Sequence, residues 1–129
     1  MTLTKTINIE CPVDKAFDFL ADAARWPQFA IHNIRSIRPV DNGYWLIDTP
    51  RGEGRLKIYP NRSYGLLDHE FLDAGEGKWI VPARVVSTPM GCHLMMTFSK
   101  PDKLPQDMFD KGMLLLDEEF EVLKGILEG

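Results

Sequence analysis

Apolar and polar residues alternate one for one over Thr2 to Glu10, with Leu3, Ile7 and Ile9 set against Thr4, Thr6, Asn8 and Glu10. A period of two marks a strand with one buried face. Cys11-Pro12 ends it. Proline at a first helical position forfeits no hydrogen bond, and Asp14 falls where the helix dipole favours a carboxylate. The pattern predicts a short helix through Ala21, with Val13, Phe17 and Leu20 as its apolar face. Asp22 can cap a second short helix that closes on Trp26-Pro27 and Phe29.

From Ile34 to Lys100 the spacing predicts strand after strand: roughly Ile34 to Asp41, Tyr44 to Thr49, Gly54 to Tyr59, Tyr64 to Leu72, Lys78 to Ser87 and Cys92 to Ser99. Glycine- and proline-bearing separators, among them Asp41-Asn42-Gly43 and Gly75-Glu76-Gly77, are short enough to make neighbours antiparallel. The period then changes. Over Pro105 to Leu127, Phe109, Met113, Leu116, Phe120, Leu123 and Leu127 recur at steps of four and three, and Met108, Gly112, Leu115 and Val122 widen the stripe. A stripe that broad suits a curved sheet wrapped around a helix. At ~1.5 Å per residue the helix is about 33 Å long, enough to cross a sheet of nine-residue strands. The fold class is α+β: a curved antiparallel sheet of about seven strands, two short helices after the first strand, and a long C-terminal helix on the sheet.

Composition narrows the class. Residues 1–129 suffice for a single domain, and 44% hydrophobic with 26% charged residues is ordinary for a globular chain. A net charge of -4 offers no positive field to nucleic acid. No apolar run approaches the ~20 residues that span a bilayer, and the start lacks a signal-peptide core, so the expected location is the cytoplasm without stable membrane insertion. Cys11 and Cys92 have no companion cluster and are expected as reduced thiols.

The order strand, two short helices, six strands, long helix resembles the START-like (SRPBCC) superfamily, the helix-grip fold, and within it the polyketide cyclase/dehydrase-like branch. The strings Cys11-Pro12-Val13-Asp14-Lys15-Ala16-Phe17-Asp18-Phe19-Leu20 and Ala24-Arg25-Trp26-Pro27 are similar to the family's opening. Gly65 to Phe71 and Pro82-Ala83-Arg84-Val85-Val86 are similar to its later strands. The resemblance spans essentially the whole chain. It implies a cavity between sheet and final helix, but no catalytic set, because the superfamily includes carriers, lipid-transfer domains, cyclases and co-chaperone regulators.

Alternation selects the interior. Leu67, His69 and Phe71 are the better inner face of one strand, and Trp79, Val81, Ala83 and Val85 are the uncharged face of the next. The two agree if Phe71 pairs with Trp79, which places His69 opposite Val81. Leu94, Met96 and Phe98 complete the sheet side, and Phe109, Met113, Leu116 and Phe120 face it from the helix. The strand from Tyr44 is ambiguous between Tyr44/Leu46 and Trp45/Ile47. The candidate ligand-binding residues are therefore Leu67, His69, Phe71, Trp79, Val81, Met96, Phe98, Phe109, Met113, Leu116 and Phe120. The same residues could equally fill a solid core.

His69 is the one titratable group on that face. It reads as a satisfied core histidine, a ligand-orienting group or an acid/base. His32, His69 and His93 lack metal-ligand spacing, and no metal or cofactor is expected. Arg51-Gly52-Glu53-Gly54-Arg55 reads as a turn and strand start, Arg35 and Arg84 as surface charges ahead of anchors for a ligand carboxylate at a pocket mouth, and Asp117, Glu118, Glu119 and Glu121 as a solvated helix face. The leading function is binding of a small hydrophobic or aromatic molecule, such as a lipid, polyketide or related metabolite. A cyclase/dehydrase-type enzyme is the second reading. An interaction module, with a homodimer among its forms, is the third.

Overall fold

The computed structural model describes residues 1–129. In chain order its elements are β1 (Thr2–Ile9), α1 (Val13–Ala21), a 3-10 helix (Ala23–Gln28), β2 (Ser36–Pro39), β3 (Trp45–Thr49), β4 (Gly52–Asn61), β5 (Leu66–Asp73), β6 (Gly77–Val81), β7 (Ala83–Thr88), β8 (Gly91–Ser99) and α2 (Gln106–Glu128), with tight 3-10 turns at Asp41–Gly43 and Arg62–Tyr64. One curved antiparallel sheet runs β1-β8-β7-β5-β4-β3-β2, and β6 pairs with β5 off that path. The α+β architecture with its terminal helix is as the patterning predicts.

Local details differ from the patterning, beginning with β2, which is only Ser36–Pro39. The segment Lys78 to Ser87, expected as one strand, is divided at Pro82, so the sheet has eight strands. Proline has no N–H to give to a ladder. Before it, β6 pairs with β5, and after it β7 pairs with β8, while the Pro82 carbonyl still accepts from Thr97 N–H at 2.9 Å. The second short helix forms as expected, as a 3-10 helix: Asp22 caps it through Ala24 N–H at 3.1 Å, and Pro27 lies inside it without a donor. Tyr64 falls in the turn before β5. There Gly65 takes φ +67 against β7, where an added Cβ would lie 2.2 Å from the Val85 carbonyl oxygen.

The register across the β5–β6 hairpin is the expected one, with Phe71 opposite Trp79 and His69 opposite Val81. On β3 the ambiguity resolves toward the Trp45/Ile47 face, since Ile47 and Thr49 are buried.

α2 starts directly after Pro105, with Asp107 in its first turn where the dipole favours it. Its two halves sit differently. The C-terminal half is fastened to β1 and α1. Lys124 Nζ donates to the Asn8 carbonyl, Lys15 Nζ to the Leu127 carbonyl, and the Glu128 carboxylate accepts from Glu10 N–H and Lys124. Leu123 and Leu127 there are buried in the hydrophobic core with Ile9, Phe17, Leu20 and Leu94, none of which lines the cavity. The N-terminal half, from Met108 to Phe120, spans a cavity. Filled core and open cavity therefore coexist, each under one half of the same helix.

Candidate functional site

The cavity has a volume of about 240 Å³ and lies between the inner faces of β5, β6 and β8, the 3-10 helix and the first half of α2. His69, Phe71, Trp79, Val81, Met96, Phe98, Phe109, Met113, Leu116 and Phe120, all expected at the site, line it. Leu67 does not. It is fully buried near the start of β5, a strand that α1 also packs against. Gly112 also lines the cavity, and nothing lies within 4 Å of where its Cβ would be. Helix backbone and empty space meet there.

Aromatic rings join the helix to the sheet. Trp79 stacks on Phe109 with ring centroids 5.9 Å apart and planes 12° apart, and meets Phe98 edge-on at 6.2 Å. At the other side Trp26 gives its indole N–H to the Leu20 carbonyl at 2.9 Å and stands edge-on to His69 at 4.9 Å. Sixteen of the 23 lining residues are hydrophobic, so burial of apolar surface dominates whatever the cavity takes in.

His69 is buried, and its Nδ1 lies 3.0 Å from the Leu67 carbonyl oxygen. Burial pushes its pKa down to about 4, against the smaller opposing pulls of the Leu67 hydrogen bond and Asp68. The ring is neutral at pH 7. A carbonyl can only accept, so Nδ1 carries the proton and Nε2, which has no protein partner, is left as an acceptor.

A polar chain closes one side of the cavity, and patterning alone assigned its members elsewhere. Glu119, expected on a solvated helix face, is 2% exposed. Its carboxylate accepts from His32 N–H at 2.9 Å and from the Asn33 side-chain amide at 3.1 Å to both oxygens. Burial raises its pKa despite these bonds. Asn33 passes the chain to Arg51, whose Nη2 donates to Asn33 Oδ1 at 2.9 Å and whose Nε donates to buried Asp73 at 2.7 Å, with Glu76 at 3.7 Å. Glu76, half-buried, also has its pKa raised by burial. It lies near the indole N–H of Trp79, which is buried without a well-formed hydrogen bond. A signal for Glu119 was present: it sits seven residues after Gly112 and three before Val122, on the widened edge of the apolar stripe.

A second concavity, of about 270 Å³, opens beside α1 and β7. It contains Arg62 and Arg84. Arg62 is already paired with Asp14 and Asp18, and exposed Arg84 donates to the Tyr64 carbonyl, so no free cation faces an anion there. No group of three or more His, Cys, Asp or Glu residues is placed to hold a metal ion. No helix is long and apolar enough to cross a membrane.

A curved antiparallel sheet gripping one long C-terminal helix, with a cavity between them, is the helix-grip fold. Solved structures match it over nearly the whole chain. Ara h 8.0201 aligns with a TM-score of 0.74 at 16% identity, covering 98% of this chain and 97% of that one. Protein MLL2253 from Mesorhizobium loti aligns with the same score and identity over 98% and 96%. DynU16, a protein in the dynemicin biosynthetic locus, also scores 0.74 at 16% identity, over 98% of this chain and 47% of its own. No family model and no curated protein matches the sequence.

Proposed function

We propose that this chain binds a small, largely apolar molecule, aromatic or lipid- or polyketide-like, in the cavity beneath the first half of α2. The observation that carries this reading is the cavity itself. An apolar space of about 150 Å³ is enough to admit benzene, and this one is about 240 Å³ under an aromatic and thioether wall. In this reading the chain works in the cytoplasm as a carrier or sensor, with the ligand as its partner. Titration with the neutral probe N-phenyl-1-naphthylamine should give saturable, blue-shifted fluorescence, and native mass spectrometry of freshly purified protein should show a retained small molecule. Absence of both would sink the proposal.

The free Nε2 of His69 favours a second reading, a cyclase/dehydrase-type enzyme in which that nitrogen takes a proton from the bound molecule. Its pKa of about 4 makes it a weak base at neutral pH, which is why binding is placed first. Turnover of an enolisable polyketide mimic that disappears in His69→Phe would reverse that order.

A further inference from the structure

We propose that the cavity selects a neutral ligand carrying a hydroxyl group, and that this hydroxyl donates its hydrogen bond to Nε2 of His69. The proposal rests on the cavity-binding reading and names the ligand's chemical class. The Leu67 carbonyl fixes the ring proton on Nδ1, so the cavity receives a lone pair. A ketone or ether oxygen brought to that nitrogen sets one acceptor against another. A hydroxyl or phenol satisfies it.

The rest of the polar lining excludes a charged alternative. Arg51, which lines the cavity, is engaged by Asp73 and Asn33 and has Glu76 beside it. Glu119 already accepts from Asn33 and His32. Lys111 lines the space but is exposed to solvent. A ligand carboxylate would meet the Glu76 and Glu119 carboxylates with no unpaired buried cation to offset them, whereas a ligand amine would find Glu119 already hydrogen-bonded and Glu76 beside the Arg51 guanidinium. A neutral hydroxyl on a two-ring frame asks for only the partner that His69 leaves free.

The experiment is a competition at pH 7 between N-phenyl-1-naphthylamine and 2-naphthol, 2-methoxynaphthalene or 2-naphthoate, on the full chain. The expected result is displacement by 2-naphthol at on the order of tenfold lower concentration than by 2-methoxynaphthalene, with 2-naphthoate weakest. In His69→Phe the naphthol preference should vanish while methoxynaphthalene still binds. Equal displacement by naphthol and methoxynaphthalene in the wild type overturns the hydroxyl assignment and leaves the cavity reading standing. Failure of the probe and of every competitor overturns both. A preference that survives His69→Phe overturns the role of His69. Nitrogen NMR of the unaltered protein gives a check free of folding defects. Nε2 of His69 should carry no proton in the free state and should shift on adding 2-naphthol but not 2-methoxynaphthalene; a proton on Nε2 in the free protein overturns the proposal.

Discussion

The guanidinium of Arg51 donates to the side-chain oxygen of Asn33 at 2.9 Å, and through that one amide a sheet turn is joined to the helix above it. Asn33 spends its amide nitrogen on Glu119 of α2. The three side chains make a continuous hydrogen-bonded bridge across the side of the cavity. Glu119→Ala leaves His32 N–H and the Asn33 amide without their acceptor and should destabilise the fold by about 3 kcal/mol; Asn33→Ala should cost about 2. In urea unfolding the double variant should lose about 1 kcal/mol less than the sum of the singles, as expected for residues in one network. Simple additivity would show the bridge to be two independent contacts.

Gly112 separates stability from occupancy. Gly112→Ala should stabilise the helix by about 1 kcal/mol, since glycine is poor in a helix interior and nothing obstructs the new methyl group. Gly112→Leu places a larger side chain at the cavity wall and should weaken N-phenyl-1-naphthylamine binding by at least several-fold without lowering the thermal midpoint. Unchanged binding in the leucine variant would place the probe elsewhere.

His69 gives the fold an acid-sensitive term. Its pKa is about 4 when folded against an ordinary value of 6.5, so below about 6.5 the unfolded chain takes up a proton that the fold refuses. The stability it contributes is complete above about pH 6.5, falls as pH drops toward 4, and is lost below that, a change of about 3 kcal/mol. Glu119 and Glu76 act in the opposite sense. Their pKa values are raised by burial, so their contribution is complete below the ordinary carboxyl range and lost as pH rises through the folded values. Urea unfolding between pH 7 and pH 4 should show less acid loss in His69→Phe and a steeper loss in Glu119→Gln.

Cys11 and Cys92 lie with their sulfurs 4.0 Å apart, both buried and both reduced. Burial, with the neighbouring Cys11 thiol adding to it, pushes the Cys92 thiol up to about 11. At pH 8 the folded protein should resist iodoacetamide at both positions, and urea should release two equivalents of alkylation, read by mass spectrometry. Rapid labelling of the folded chain would contradict that burial.

Periodicity made the elements and most of the wall legible. A period of two on β5 and β6 is enough to put His69, Phe71, Trp79 and Val81 on one face, because a one-residue slip would have turned every side chain over. The helix stripe identified Phe109, Met113, Leu116 and Phe120 for the same reason. What periodicity hides is a polar residue whose partners are far away in the chain. Glu119 reads as solvent-facing until Asn33, 86 residues earlier, is brought to its carboxylate, and Arg51 reads as a turn residue until Asp73 arrives beside it. Leu67 failed differently: alternation gives a face, not a position along it, and Leu67 is buried on that face outside the cavity lining.

Pro82 makes the wall of the cavity two panels. On one side of it β6, with Trp79 and Val81, hydrogen-bonds to β5; on the other, β7 hydrogen-bonds to β8 and meets β5 at Leu66 and Arg84. The joint lacks one ladder donor, while β5 runs past it unbroken and pairs on both sides. Displacement of the first panel by a guest therefore loads β5, the strand that both panels share and that also packs on α1. What a guest does at the cavity is carried toward α1 through this one unbroken strand, because the neighbouring strand loses a ladder donor at Pro82.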